Sequence, residues 1–152
     1  MIRIVIAFLF FVFTGTSAFA QTHKTTVART SSKMTTAVGL PASIQRGKAI
    51  YASYCLTCHQ ADAGGVPNLN PPLIQTSYVL GKKEPLIKII LNGFTEHVDI
   101  DGESYSNNMP PLNSLKDQQI ADVLTYIRNN FGNKAGAVLP AEVQKVRRSI
   151  KK

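Results

Sequence analysis

Both cysteines of the chain and one of its three histidines fall within a single run, Cys55-Leu56-Thr57-Cys58-His59. Cys-x-x-Cys-His is the pattern for covalent attachment of a c-type haem. Two thiols three residues apart can each add to a vinyl group of the macrocycle, forming two thioether links. The adjacent imidazole is then held under the iron as its proximal ligand. On a helical turn, positions i, i+3 and i+4 share one face, so all three groups can meet one flat ring. Haem-free chemistries fit less well. A Cys-x-x-Cys redox pair usually opens a helix in a βαβ setting, and no alternation of strand and helix surrounds this one. A zinc site needs a fourth ligand and usually a second Cys/His pair, whereas the remaining histidines are His23 and His97.

An iron with one protein ligand can bind gases or peroxide, while one with two usually only carries electrons. The candidates for a second ligand are Met34, Met109, His23 and His97. Met34 and His23 lie in a polar leader, where ordering a ligand is costly. Met109 sits in Asn107-Asn108-Met109-Pro110-Pro111-Leu112, where two prolines stiffen the chain just after the sulfur. The sequence therefore favours Met109 over His97, against the plainer reading of Met109 as a core gap-filler.

These groups need helices to position them. Ile44 to Tyr54 is expected to be a helix leading into the haem motif, with Gly47, Ile50, Tyr51 and Tyr54 along one face. Gly64-Gly65 and Pro67 through Pro72 predict a loop after the motif. Pro85 to Asn92 resumes a helix, with Gly93 as its stop. In the last core helix Ile120, Val123, Leu124 and Ile127 follow the i, i+3, i+4, i+7 pattern. Ser114 and Asp117 are expected to cap its start, and Gly132 to end it after Phe131. No run reads as a strand, so the expected class is all-α: a small helical domain wrapped around one covalently attached haem. Glu96, Asp99, Asp101 and Glu103 surround Asp101-Gly102 and read as a solvated turn rather than a calcium site.

The chain ends carry different information. Arg3, the apolar run Ile4 to Phe13 and Ala18-Phe19-Ala20 have the form of a secretory signal peptide over residues 1–20, cleaved after Ala20. Residues 21–42, rich in Thr and Ser, are expected to be a flexible leader. The haem domain is expected over 43–134 and a basic tail over 135–152. The formal net charge of +8 is unevenly spread: residues 43–134 hold eight Lys/Arg against eight Asp/Glu, and the tail five against Glu142 alone. Basicity at the chain ends, with no recognised motif, does not point to nucleic acid. Within the tail, Val143, Val146 and Ile150 form a stripe suited to docking on a partner, but too small for firm membrane binding.

The chain resembles the class I c-type cytochromes, small monohaem electron carriers, over roughly residues 43 to 132. The residues that carry the resemblance are Gly47-x-x-x-Tyr51, Cys55-Leu56-Thr57-Cys58-His59, Pro71-Pro72-Leu73, Met109-Pro110-Pro111 and the terminal helix with Tyr126. The resemblance implies that Cys55 and Cys58 hold the haem, with His59 proximal and Met109 distal. It implies that the first and last helices cross, with Gly47 near Tyr126. It also implies that the Pro71 carbonyl, or Pro72 if the loop is shifted by one, accepts a hydrogen bond from the His59 ring. The chain departs from many relatives in lacking tryptophan, leaving Tyr78, Tyr105 or Phe94 as the aromatic near the propionates. Arg128-Asn129-Asn130-Phe131-Gly132-Asn133 is similar to haem subunits that accompany periplasmic sugar and alcohol dehydrogenases. The function implied by the resemblance is that of a periplasmic electron carrier and not an enzyme. Its expected donor is a dehydrogenase or quinol-oxidising complex, and its expected acceptor an oxidase or another cytochrome. The alternatives are a haem subunit of a multi-component dehydrogenase, or an open-site haem enzyme or gas sensor if Met109 does not ligate.

Overall fold

A computed structural model describes residues 39–150. The expected signal peptide, nearly all of the leader, His23 and Met34 lie outside the described residues. Six helices and one short hairpin follow in order: α1 (Leu40–Tyr54), α2 (Leu56–His59), α3 (Ser77–Leu80), α4 (Lys83–Asn92), β1 (Val98–Ile100), β2 (Glu103–Tyr105), α5 (Asp117–Arg128) and α6 (Pro140–Ile150). The class is all-α, as the sequence implies, with the hairpin as a local addition. Helix α1 begins one turn before the expected Ile44, because Pro41 suits a first turn in which its missing N–H has no partner to lose.

The frame is the crossing of α1 and α5. A Cβ built on Gly47 would lie 2.1 Å from the Asp122 carbonyl oxygen and 2.6 Å from the Tyr126 Cβ, so only glycine lets the two backbones meet here. Asp122 is buried on α5, yet its carboxylate is fully engaged. Arg46 donates from Nε at 2.6 Å and from Nη2 at 2.8 Å, Ser43 from its hydroxyl at 2.6 Å, and Gln118 from Nε2 at 2.9 Å. A buried carboxylate is tolerable only with such a complete set of donors. Tyr51, Tyr126 and Phe131 close one end of the crossing, with ring centroids 5.3–5.5 Å apart in tilted or edge-on pairs.

Helix α5 differs from its expected boundaries at both ends. Asp117 does not cap it: Gln119 reaches back to accept from the Lys116 N–H at 2.9 Å, and the Asp117 carboxylate instead meets Arg147 at 2.7 Å. The helix stops at Arg128, and Phe131 and Gly132 take positive φ values of 56° and 77°. That early turn brings the Phe131 ring back onto Tyr51 and Tyr126.

The tail is a second difference. Instead of a basic appendage awaiting a partner, residues 135–150 fold onto the domain. Val138, Val143 and Val146 join the core. Lys83 on α4 pairs with Glu142 at 2.9 Å, and Thr125 on α5 exchanges hydrogen bonds with the Val138 backbone at 3.0 and 3.2 Å. The stripe, which could have served a partner or simply a solvated helix, is thus largely consumed internally, with only Ile150 left exposed. The acidic segment forms the antiparallel hairpin β1–β2, with Ile100 opposite Glu103. Asp101 and Gly102 both have positive φ, 53° and 84°, as a two-residue type I′ turn requires.

The Gly47 crossing yields a direct expectation. Gly47→Ala forces α1 away from α5 and should destabilise the protein by about 3 kcal/mol, the upper part of the usual overpacking range. Urea unfolding followed by far-UV circular dichroism measures this; an unchanged midpoint would rule out the close approach.

Candidate functional site

Behind the crossing lies a cavity open to solvent and lined mainly by apolar side chains. An apolar wall with a few polar groups converging on it is the character of a cofactor site. Cys55, Cys58, His59, Pro71, Pro72 and Met109 all line it. His97, the rival second ligand, is exposed and lies outside it. Tyr78, Phe94 and Tyr105, the three aromatic candidates, all belong to its wall, with Tyr78 edge-on to Phe94 at 6.2 Å.

The attachment run continues α1 through a single turn residue, Cys55, into α2. Tyr51 ends α1 by accepting from the Cys55 N–H at 2.9 Å, and the His59 N–H then returns to the Cys55 carbonyl at 2.9 Å. Gln60, with φ 66°, stops the turn, and its carbonyl accepts from the Tyr51 hydroxyl at 2.7 Å. The two cysteines are not joined to each other; Cys55 is buried and Cys58 exposed. Burial, reinforced by the neighbouring Cys58, pushes the Cys55 thiol up to about 11.

His59 is held from behind. Its Nδ1 lies 2.9 Å from the Pro71 carbonyl oxygen. A carbonyl can only accept, so Nδ1 carries the proton and Nε2 keeps its lone pair free. Burial lowers the pKa of the imidazole, and the bond to Pro71 partly offsets that shift. Burial thus favours the neutral ring, and the bond to Pro71 fixes the tautomer that leaves Nε2 able to donate to a metal. The loop that delivers Pro71 has no regular structure, and Asn133, which the sequence marked only as the end of the Arg128–Asn133 run, ties it down. Asn133, buried, accepts from the Gln75 N–H at 2.7 Å and donates to the Leu73 and Ile127 carbonyls at 2.8 Å each. The one hint in the sequence was an asparagine just beyond the Phe131-Gly132 turn. Asparagine there also reads as ordinary turn chemistry.

Met109 is fixed by its own backbone. Its N–H and carbonyl exchange hydrogen bonds with Phe94 at 2.8 and 2.9 Å, a single antiparallel bridge just beyond α4. Gly93, with φ 75°, makes this approach possible, since a Cβ there would lie 2.4 Å from the Met109 carbonyl oxygen. Leu112 then donates to the Ile90 carbonyl at 2.8 Å. The structure therefore brings two thiols, a neutral imidazole and a thioether to one apolar cavity. That donor set could hold a covalently tethered haem, with the thiols as anchors and the imidazole and thioether as candidate donors to its iron.

Comparison with known proteins agrees. The family model "Cytochrome c" matches residues 44–131. Cytochrome c-552 of Thermus thermophilus is 34% identical over 99 residues, covering 62% of this chain and 66% of its own length. The cytochrome c subunit of a quinone alcohol dehydrogenase from Gluconacetobacter polyoxogenes is 36% identical over 111 residues, 66% of this chain. The gluconate 2-dehydrogenase cytochrome c subunit of Pantoea cypripedii is 34% identical over 101 residues, 64% of this chain. The chain spans about two thirds of the Thermus protein, and only 22% and 23% of the two dehydrogenase subunits.

Asn133 offers a check on how the proximal loop is held. Asn133→Ala strands the Gln75 N–H and two carbonyls and should cost about 1–3 kcal/mol. Hydrogen exchange should accelerate at the Gln75 amide well beyond any change in the middle of α1; uniform acceleration would mean that Asn133 holds no local clamp.

Proposed function

The chain belongs to the cytochrome c family, and on that premise we propose that it is a periplasmic monohaem electron carrier with His59 and Met109 as its two axial ligands. Covalently bound haem c, the family's cofactor, supplies a one-electron iron couple. The protein's residues supply attachment, orientation and environment. Cys55 and Cys58 tether the macrocycle through thioether links, which prevents its loss during repeated cycles. Pro71 fixes the plane of the His59 ring and makes its Nε2 more basic. Met109 donates a soft sulfur, which favours the ferrous over the ferric state and raises the potential. The apolar wall works in the same direction, because burial penalises the additional positive charge of the oxidised centre.

The observation that carries this reading is the pinning of Met109 by Phe94 in the wall of the cavity that also holds His59. A site built to activate a small molecule leaves one axial side open. In a carrier that side is taken by a second protein ligand, and a thioether held on both flanks of its backbone suits the role. Export is supported by the secretory form of residues 1–20. Among the described residues no helix is long and apolar enough to cross a membrane.

The donor in this reading is a dehydrogenase or a quinol-oxidising complex, and the acceptor an oxidase or another cytochrome. A fixed place as a dehydrogenase haem subunit is the second reading. It is favoured by the similarity to cytochrome c subunits of alcohol and gluconate dehydrogenases. In either setting no substrate bond is made or broken on this chain.

The test is an absorption spectrum of the mature haem-loaded protein, oxidised and then reduced, with carbon monoxide added last. A closed His59/Met109 carrier gives the weak long-wavelength thioether-to-ferric-iron band and no response to carbon monoxide. Met109→Ala should abolish that band and admit carbon monoxide. A wild-type protein that binds carbon monoxide at once would overturn the carrier reading in favour of an open-site enzyme or sensor.

A further inference from the structure

Helix α6 lies wholly beyond residues 44–131, the part that matches the cytochrome c family. Its Arg147 makes an unusual set of contacts. Nε meets the Asp117 carboxylate at 2.7 Å, Nη1 the Asn113 carbonyl at 2.8 Å and Nη2 the Leu115 carbonyl at 2.7 Å. Two of the acceptors lie in the connection that runs from Met109 to α5, and the third, Asp117, is the first residue of α5. The connection itself contains no helix or strand, and its first residues include Pro110 and Pro111, which have no N–H to donate. Upstream, Met109 is anchored to Phe94 and Leu112 to Ile90. Downstream, its carbonyls and the Asp117 carboxylate are gathered by a guanidinium from outside the family domain.

We propose that Arg147 is a positioning residue for the distal ligand, a three-point clamp that keeps the Met109 loop closed against the cavity. The proposal rests on the reading of Met109 as an axial ligand. The guanidinium suits the task because its donors are rigid and diverge in one plane, so one side chain can hold three acceptors in fixed relation. Val143 and Val146, both buried and preceding it on α6, set the register of the helix and so aim the guanidinium. Lys83–Glu142 secures the far end of the helix, away from the loop. The clamp does not touch the iron site; it sets how often the loop opens.

An external ligand such as imidazole reaches the ferric iron only while Met109 is displaced. Its apparent affinity therefore scales with the open fraction. In the haem-loaded full-length protein, Arg147→Ala should bind imidazole about tenfold more tightly than wild type, equivalent to about 1.4 kcal/mol. Arg147→Lys, which retains a charge for Asp117 but not three fixed donors, should lie between the two, and it provides the reading if Arg147→Ala does not fold. Glu142→Gln, which loosens the other end of α6, should stay within about twofold of wild type. If wild type lacks the thioether band, the Met109 reading fails and this proposal falls with it. If wild type has the band and neither Arg147 variant binds imidazole more tightly, the ligand reading stands and the clamp is overturned. An equal effect from Glu142→Gln also overturns it, since general loosening of α6 would then suffice.

Discussion

Everything in this domain hangs on the place where α1 and α5 touch backbone to backbone. With no side chain at Gly47, the helices approach closely enough for one buried carboxylate, Asp122, to serve both of them: Arg46 and Ser43 from α1, and Gln118 from α5. Two helices fixed in this way form a rigid corner. The attachment run leaves directly from the end of α1, and the Met109 loop leads directly into α5. The crossing therefore sets the distance between the two sides of the cavity before any loop is ordered. A frame of this kind matters for electron transfer, because a centre whose ligands stay in place in both oxidation states has little to rearrange.

The loops themselves illustrate a second constraint. An apolar cavity occupies the space where a small helical domain would otherwise place its core, so the segments around it cannot be packed as helices against one another. They are held instead by polar atoms directed at the backbone. Asn133 binds the Leu73–Gln75 stretch, Phe94 bridges Met109, and Arg147 gathers the carbonyls after it. Each bond is individually modest, about 1 kcal/mol net, rising for charged donors. Their value is directional: they fix where a loop lies, which apolar contact alone does not.

Much of this was legible in the sequence. The attachment run is a chemical pattern that few other chemistries produce, and the periodic apolar residues of α5 pick out one helix face without ambiguity. Met109 could be preferred over His97 from the prolines after it, and the structure puts Met109 in the cavity wall with His97 outside. Other features were hidden for physical reasons. Thr125 and Arg128 look like the wet face of an amphipathic helix, yet both are buried, because the chain after α5 folds back over them: Gly136 accepts from Arg128 at 2.8 Å and Val138 from Thr125 at 3.2 Å. Composition alone cannot distinguish a polar residue facing water from one facing a returning backbone. The hairpin was missed because three-residue strands are shorter than any periodicity test can resolve, although its Asp-Gly turn was visible.

The returning tail changes how the charge of the molecule should be understood. Along the linear chain, five cations after residue 135 look like an electrostatic handle for a partner or surface. Folded, one of the three within α6, Arg147, is taken up by Asp117 and two carbonyls, and the lone acid, Glu142, is engaged by Lys83. Lys145 and Arg148 are what α6 leaves exposed. Within α6 itself, two exposed cations give little steering at physiological ionic strength, where the Debye length is about 8 Å. The helix instead contributes apolar burial and directed hydrogen bonds to a domain whose centre is given over to a cavity. Covering α5 from outside restores some of the burial that the cavity removes from inside. Residues 135–150 therefore belong to the stability of the fold, and one of their positive charges, that of Arg147, sits on the side chain that holds a loop by its carbonyls.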